Sequence, residues 1–434
     1  MEFLTYTVHP ETDPLSLRVT DEGYVPSLRY KAENSLIRAD DAPDTELVIG
    51  DNLAALTALT GQYEGKVDAI YIDPPYNTGK NIFTYKDGVK GGRRTRHEVW
   101  LSLMQRRLEK AYSLLSPTGV MMVSIGNDEH AHLKLLLDGI FGAQNFIDNI
   151  VWIGNGASNG TFTRSGIDYI LIYGKNKKAL APWRTPKPGA DEMIALVDSA
   201  LLNGATRDEA QSKLRAYIKR NPHLSGGLKG YANVDMEGEV YSTASLVNAL
   251  YRPNLMFDVT DPATGRVYPS PSKGWTLSKE LFEERIKKGE IVFQANRPRR
   301  KLYLRERGTM LPSPIIEDTR SIGTEELRRI IGRTEFTYPK NTAVILRWLR
   351  TVTYDDPDAV VMDFFAGSGT TGQAVMEMNA VDGGNRKCIL VTNNENAIAD
   401  TVTIPRLWNV LTGEWADNKS RPALRGNLKV YELE

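Results

Sequence analysis

Two short stretches of this 434-residue sequence hold the side chains best suited to chemistry. The first is Asp73-Pro74-Pro75-Tyr76, directly after the apolar run Val67 to Ile72. Consecutive prolines cannot extend a hydrogen-bonded ladder, so they fix a stiff turn at a strand end and hold Asp73 and Tyr76 in set directions. The carboxylate and the Pro74 carbonyl can accept from a planar amine while the Tyr76 ring stacks on its plane. The second stretch, Asp363-Phe364-Phe365-Ala366-Gly367-Ser368-Gly369-Thr370-Thr371, reads as a strand end, a turn with two glycines and a helix start. Such a turn lets the backbone approach a nucleotide-like ligand and aims helix amides at an anion. No Lys follows the second glycine, so it is not a phosphate-cradling P-loop. Asp363 suits an ammonium group, and the amides of Thr370 and Thr371 suit a carboxylate; a methionine moiety carries both. Glu395 follows about two dozen residues later, where nucleotide-binding sheets place an acid against ribose hydroxyls.

The surrounding pattern predicts an α/β sheet that positions both turns. Leu47 to Ile49 and Val67 to Ile72 read as strands with a helix between them from Leu53, a parallel βαβ unit. A helix near His97 to Leu115 places Trp100, Leu103, Met104, Ala111, Leu114 and Leu115 at helical spacing, and Pro117 and Gly119 end it. Val120 to Ile125, Ile150 to Trp152 and Tyr169 to Tyr173 read as strands, with Asp128 as a helix cap. From there to Glu317 the alternation gives way to polar helix, Gly/Pro-rich loops and short strands, which marks an insertion. Helices over Thr324 to Ile331 and Thr342 to Leu349, a strand Ala359 to Phe365, a helix Gly372 to Met378 and a strand Lys387 to Val391 then resume the α/β pattern.

With 41% apolar, 25% charged and 9% aromatic residues, the chain is neither a disordered tail nor a disulfide framework. The lone Cys388 forms no internal bridge and, with few His nearby, no zinc site, so no metal and a reducing cytoplasmic setting are expected. No signal peptide or membrane helix is expected. Lys plus Arg and Asp plus Glu both number 54, yet the zero sum hides an acidic stretch before Asp51 and local basic clusters. Arg93, Arg94 and Arg96 lie in a glycine-containing loop after the first turn; Lys177 and Lys178 follow the last early strand; Arg297, Arg299, Arg300 and Lys301 fall inside the insertion. These are the expected DNA contacts.

Tyr71 to Thr78 followed by Asp363 to Gly369 resembles the amino-methylating DNA methyltransferases of the β class, in which the catalytic motif precedes the cofactor motif. Gly50-Asp51-Asn52-Leu53, Asp168 to Lys175, Phe336-Thr337-Tyr338-Pro339-Lys340 and Gly383 to Val391 extend the likeness from about Leu47 to the end. It is greatest to the modification (Mod) subunits of type III restriction systems. The resemblance implies a Rossmann-like, S-adenosylmethionine-dependent methyltransferase sheet with circularly permuted motif order and an inserted target-recognition domain. The implied division is 1–45 arm, 46–177 catalytic half, 178–317 target recognition and 318–434 cofactor half. In that fold the strands bearing Asp73 and Asp363 are neighbours.

The implied reaction is methyl transfer to adenine N6 in a flipped-out base, with Asp73, Pro74, Pro75 and Tyr76 as the catalytic clamp. Asp51, Asn52, Phe336, Lys340, Asp363, Phe364, Gly367, Gly369, Thr370, Thr371 and Glu395 would surround the cofactor. An Asp before Pro-Pro-Tyr is usual in the adenine group and Ser in the cytosine group, so cytosine N4 is the alternative; a noncatalytic DNA-recognition subunit is another. Carbon methylation is disfavoured because the one cysteine lies within the Lys387 to Val391 strand. Double-stranded DNA is the expected partner, with a homodimer and a restriction nuclease subunit as further expectations. The Mod subunits continue well past the equivalent of Gly426-Asn427-Leu428, and that extension helps engage the nuclease.

Overall fold

The computed structural model describes residues 26–78, 96–154, 166–317, 321–332, 336–353, 356–419 and 421–434. They fall into two compact units, one made of residues up to 183 and from 312, the other of residues 184–311.

The first unit is built on a ten-stranded mixed sheet. In chain order its strands are β1 Leu28–Tyr30, β2 Asp44–Ile49, β3 Val67–Ile72, β4 Leu115–Gly126, β5 Phe146–Ile153, β6 Ile167–Gly174, β7 Ile315–Ile316, β8 Val360–Asp363, β9 Lys387–Thr392 and β10 Asn427–Leu433. Across the sheet they run β1-β10-β2-β9-β8-β3-β4-β6-β5-β7. From β10 to β4 all neighbours are parallel, and β6 returns antiparallel to β4. The central strands are apolar at nearly every position because both faces are covered. Leu47, Ala69, Tyr71, Val361, Cys388 and Leu390 face one cluster of buried side chains; Val48, Ile70, Ile72, Met362, Ile389 and Val391 face the other. On the first face lie α5 Thr342–Val352, α6 Thr370–Asp382 and α7 Ile404–Thr412, contributing Ile345, Val375 and Leu407 among others. On the second lie α1 Asn52–Tyr63, α2 Arg96–Leu114 and α3 Asn127–Phe141, contributing Leu56, Met104 and Leu133. Helix α4, Ser321–Ile331, precedes α5.

The predicted α/β alternation is present, with local differences. Strand β4 begins at Leu115, and the register with β3 shifts between Val67 and Ala69, which accommodates Pro117 and Gly119 inside the strand. Asp128 does not cap α3: Gly126 is its N-cap, and Asp128 sits in the first turn, where its charge favours the helix dipole, 3.5 Å from Arg96. Strands β1 and β10 extend the sheet beyond β2, so part of the expected arm is structural; residues 1–25 lie outside the described residues.

The second unit is narrower than the expected 178–317. Leu180 and Trp183 pack against the first unit's core, and Ile315–Ile316 pairs with Val151–Trp152, so both flanks belong to the first unit. Within the second, helices Ala190–Leu202 and Arg207–Arg220 pack through Met193, Val197, Ala210 and Leu214. Thr206 and Glu209 form a reciprocal capping box that starts the second helix. A four-stranded antiparallel sheet runs Ile291–Phe293, Pro298–Tyr303, Val240–Ser245, Asn233–Val234. Trp275 and Phe282 centre a second small core, with the Trp275 indole donating to the Phe257 carbonyl at 2.7 Å.

Candidate active site

Because β2, β9, β8, β3 and β4 are parallel, the segments that follow them emerge on one edge of the sheet. That edge carries Asp51 and Asn52 after β2, Glu395 after β9, the glycine turn after β8, Asp73 to Tyr76 after β3, and Asp168 near the start of the returning β6. Strand β8 leads on to β9 on one side, while β3 leads to β4 on the other. Their connections diverge and leave a crevice between the two turns, the place where open α/β sheets bind ligands.

In the clamp, the Pro75 carbonyl accepts from the Trp100 indole at 2.7 Å, which ties the proline turn to α2. The Tyr76 hydroxyl shares a hydrogen bond with Ser124 Oγ at 2.8 Å. A Cβ on Gly126 would stand 2.9 Å from the Tyr76 ring, so this glycine is what lets the ring lie against the β4 end. Lys340 enters from the other half of the chain. Its Nζ lies 3.1 Å from Asp73 Oδ1 and 3.6 Å from Asp168 Oδ2, and donates to the Tyr76 hydroxyl at 2.5 Å. It also sits 4.6 Å from the Tyr76 ring centre and 5.5 Å from that of Trp152. Burial pushes the Asp73 carboxyl above its ordinary range, with Lys340 pulling it back. Burial works against the Lys340 charge too, but Asp73 and Asp168 outweigh it and hold its pKa above the usual lysine value. Lys340, expected beside the cofactor, is therefore part of the clamp.

The glycine turn is braced from within. Asp363 is 3% exposed; its Oδ1 accepts from the Phe365 amide at 3.0 Å and its Oδ2 from the Thr371 hydroxyl at 2.5 Å. Burial lifts its pKa to about 7. Gly367 and Gly369 have φ of +47° and +78°, in the left-handed region that side chains other than glycine seldom adopt. A Cβ on Gly367 would lie 3.5 Å from the Phe336 ring, so Phe336 flanks the turn. The side chains of Thr370 and Thr371 are buried and turned inward: Thr371 to Asp363, Thr370 to Arg406 at 2.7 Å. Asp51 and Asn52 support the turn rather than lie open. Asp51 caps α1 through the Ala54 amide and takes the Arg107 guanidinium at 3.0 Å; Asn52 donates to the Phe364 carbonyl at 2.9 Å. Phe364 itself is a buried core side chain. Glu395 is exposed on the same edge, in a short 3₁₀ turn with Asn396 and Ala397 at positive φ.

The basic clusters divide. Arg93 and Arg94 lie outside the described residues; Arg96 opens α2 beside Asp128. Lys177 and Lys178 are not near the clamp. Strand β6 runs antiparallel to β4, pairing Asp168 with Gly126 and Gly174 with Val120, so the lysines follow it out at the opposite edge, roughly 20 Å away at about 3.3 Å per residue. On Pro298–Tyr303 the strand's period of two splits the cluster between faces. Arg299 donates to Thr243, Arg300 faces Glu290 at 3.7 Å, and Lys301 reaches Asp235 at 3.4 Å. Arg297, just before the strand, is exposed.

Sequence reasoning missed the buried supports. Arg107, 1% exposed, joins α2 to Asp51 and to Asn52 Oδ1 at 2.5 Å. Arg406, fully buried, donates to Ser368, Thr370, Gln373 and Thr342, fixing the turn to α5, α6 and α7; burial lowers its pKa to about 10. Glu129, fully buried on α3, takes the amide of Asn77, the residue after the clamp, and lies 2.7 Å from His97 Nδ1 and 3.3 Å from His132 Nδ1. The two imidazoles stack at 4.5 Å, and both turn Nδ1 to this one carboxylate. That arrangement ties Asn77, directly after the clamp, to α2 and α3. Its members are spread over three elements, so no sequence spacing displays it.

Comparison with known proteins bears on the sequence as a whole. A family model described as DNA methylase matches residues 67–401. The type II methyltransferase M.KpnI of Klebsiella pneumoniae is 31% identical over 367 residues, 82% of this chain and 82% of that protein. The EcoP15I Mod subunit, from a type III restriction-modification enzyme of Escherichia coli, is 27% identical over 422 residues; the match takes in 89% of this chain but 65% of that subunit. Among solved structures, the PvuII DNA methyltransferase, described as cytosine-N4-specific, aligns at 10% identity with a TM-score of 0.42, over 85% of this chain and 90% of its own.

Proposed function

This chain belongs to the DNA methylase family, and from that premise we propose that it transfers the methyl group of S-adenosylmethionine to adenine N6 in a base turned out of duplex DNA. The observation that carries the reading is the adjacency of β8 and β3, which puts the Asp363 turn and the Asp73 clamp on one edge of one sheet. The residues fit the cofactor: Gly367, at positive φ, leaves beside Phe336 a space that a side chain would fill, and Asp363 offers a carboxylate at the strand end. When bound, the cofactor supplies an electrophilic sulfonium methyl.

The protein's share of the work is positioning and charge. Asp73 and the Pro74 carbonyl receive the hydrogens of the target amine and aim its nitrogen. Tyr76 stacks on the flipped ring, held there by Ser124 and by the absence of a side chain at Gly126. Asp363 holds an ammonium group and the α6 N-terminus faces a carboxylate. The Asp at the head of Asp73-Pro74-Pro75-Tyr76 favours adenine over cytosine. By the same reading the chain works in a restriction-modification or phage-defence setting in the cytoplasm, as a dimer, with a nuclease subunit as partner. No described helix is long and apolar enough to cross a membrane.

Methylome sequencing of DNA from cells expressing the chain, beside an Asp73→Ala control, tests this. Modified adenines in one recurring motif, lost in the control, are expected. Modified cytosines would transfer the reading to N4, and unmodified DNA would overturn it.

A further inference from the structure

We propose that Lys340 fills the target-base pocket of the free protein, its ammonium standing where the substrate amine must bind, and that it swings out when a base enters. This rests on the clamp reading above and adds an internal competitor to it.

The Nζ of Lys340 holds the charged acceptor assigned to the base amine and the hydroxyl rim of the ring it stacks on. It lies 3.1 Å from Asp73 Oδ1, the acceptor for the amine, and donates to the Tyr76 hydroxyl at 2.5 Å, at the rim of the stacking ring and 4.6 Å from its centre. Asp168 at 3.6 Å and the Trp152 ring at 5.5 Å complete a pocket of two carboxylates and two aromatic faces, a good host for a cation. A planar amine and this ammonium compete for the same Asp73 oxygen. The same field explains why the site suits its reaction: an amine nitrogen becomes cationic as it is alkylated and before its proton leaves, so a pocket that welcomes an ammonium welcomes that charge.

The backbone shows how the side chain leaves. A Cβ on Gly323 of α4 would stand 2.4 Å from the Pro339 carbonyl oxygen and 2.7 Å from that of Lys340, so helix and strap are in direct contact there. Asn341, next in sequence, caps α5 through the Ala343 amide at 3.0 Å. The peptide is pinned on both sides, and the flexible four-carbon stem is the part free to rotate. The Lys340 side chain retains 15% exposure, a path to solvent.

The test measures adenosine binding by ligand-observed NMR to the full chain saturated with sinefungin, comparing wild type, Lys340→Met and Lys340→Arg. Lys340→Met keeps the stem and removes the competing charge; it is expected to tighten adenosine at least about fivefold, whereas Lys340→Arg keeps the charge and should not. Without the ammonium the Asp73 carboxyl titrates at higher pH, so the pH profile of adenosine binding shifts upward in Lys340→Met alone, a change that loosened packing would not produce. Unchanged or weaker binding by Lys340→Met with its thermal midpoint intact would overturn the proposal. So would no adenosine binding to either variant. If Lys340→Met is poorly folded, Lys340→Gln takes its place under the same criteria. Failure of the methyltransfer reading is separately visible in the methylome, which does not depend on adenosine affinity.

Discussion

The glycine turn and the amine clamp end neighbouring strands of one sheet, yet they are held in opposite ways. Around Asp363 the partners are internal and permanent: Thr371, the Phe365 amide, Arg406 and the Asn52 bond to Phe364. Around Asp73 the chief partner is the end of one long lysine side chain, Lys340, brought from the other half of the chain. The turn is finished before any ligand arrives, whereas the clamp is finished only when something displaces an ammonium. A finished turn suits a small ligand bound the same way each cycle. An exchangeable partner suits a large substrate that must first surrender a base from its stack, at a cost of a few kcal/mol.

Substitutions break this contrast with graded force. The largest effect is expected from Asp73→Ala, which removes the acceptor for the amine without touching the sheet core. Methyl transfer to DNA should fall about a hundred- to a thousandfold, as when one preorganised electrostatic partner is lost. Cofactor binding by calorimetry should stay within about twofold. A comparable loss of cofactor affinity would mean that turn and clamp are not separable.

Next in size is Arg406→Leu on the other side of the comparison. The guanidinium is fully buried, with Glu326 3.6 Å away and hydroxyls of Ser368, Thr370 and Thr342 as acceptors. Removing one member of such a buried set costs about 3–5 kcal/mol. Urea unfolding should show that loss. An unfolding midpoint close to wild type would refute the permanence claimed for the turn.

A third effect depends on pH. With its pKa lifted to about 7, Asp363 is protonated in the free protein at lower pH, and its contribution to stability falls as pH rises from the ordinary carboxylate range through about 7. A ligand ammonium needs the ionised form. The ionised fraction drops from about nine-tenths at pH 8 to about one-tenth at pH 6, so S-adenosylmethionine affinity should weaken about tenfold over that interval. In Asp363→Asn that slope should vanish; a slope that persists would place the titrating group elsewhere.

The two motifs were legible in the sequence because each is local. Prolines, glycines and an alternation of apolar runs determine a turn and its flanks within a few residues, and the strand neighbours β3 and β8 follow from the family's order of motifs. What joins the motifs is not local. Lys340 reads as one more residue of a cofactor strap until the fold carries it to Asp73, and Arg107 reads as one base in an amphipathic helix until α2 lies beside Asp51. Thr370 and Thr371 read from the sequence as two helix-start amides, and only burial shows their hydroxyls turned to Arg406 and Asp363. The direction of β6 decides which edge receives Lys177 and Lys178, and no residue in it encodes that direction.

The smallest effect separates basic residues by place rather than by charge. Arg297 is exposed in the second unit, beside a strand whose other cations are engaged with Thr243, Glu290 and Asp235. Lys178 is also exposed, but at the sheet edge away from the clamp. Arg297→Ala removes a partner for one DNA phosphate and should lower the slope of log affinity against log salt by about one, while DNA affinity itself drops only a few fold. Lys178→Ala should leave both unchanged. Net charge falls by one in each variant, so equal changes in slope would show that DNA responds to the overall charge, and a change confined to Lys178→Ala would place the DNA path on the far edge.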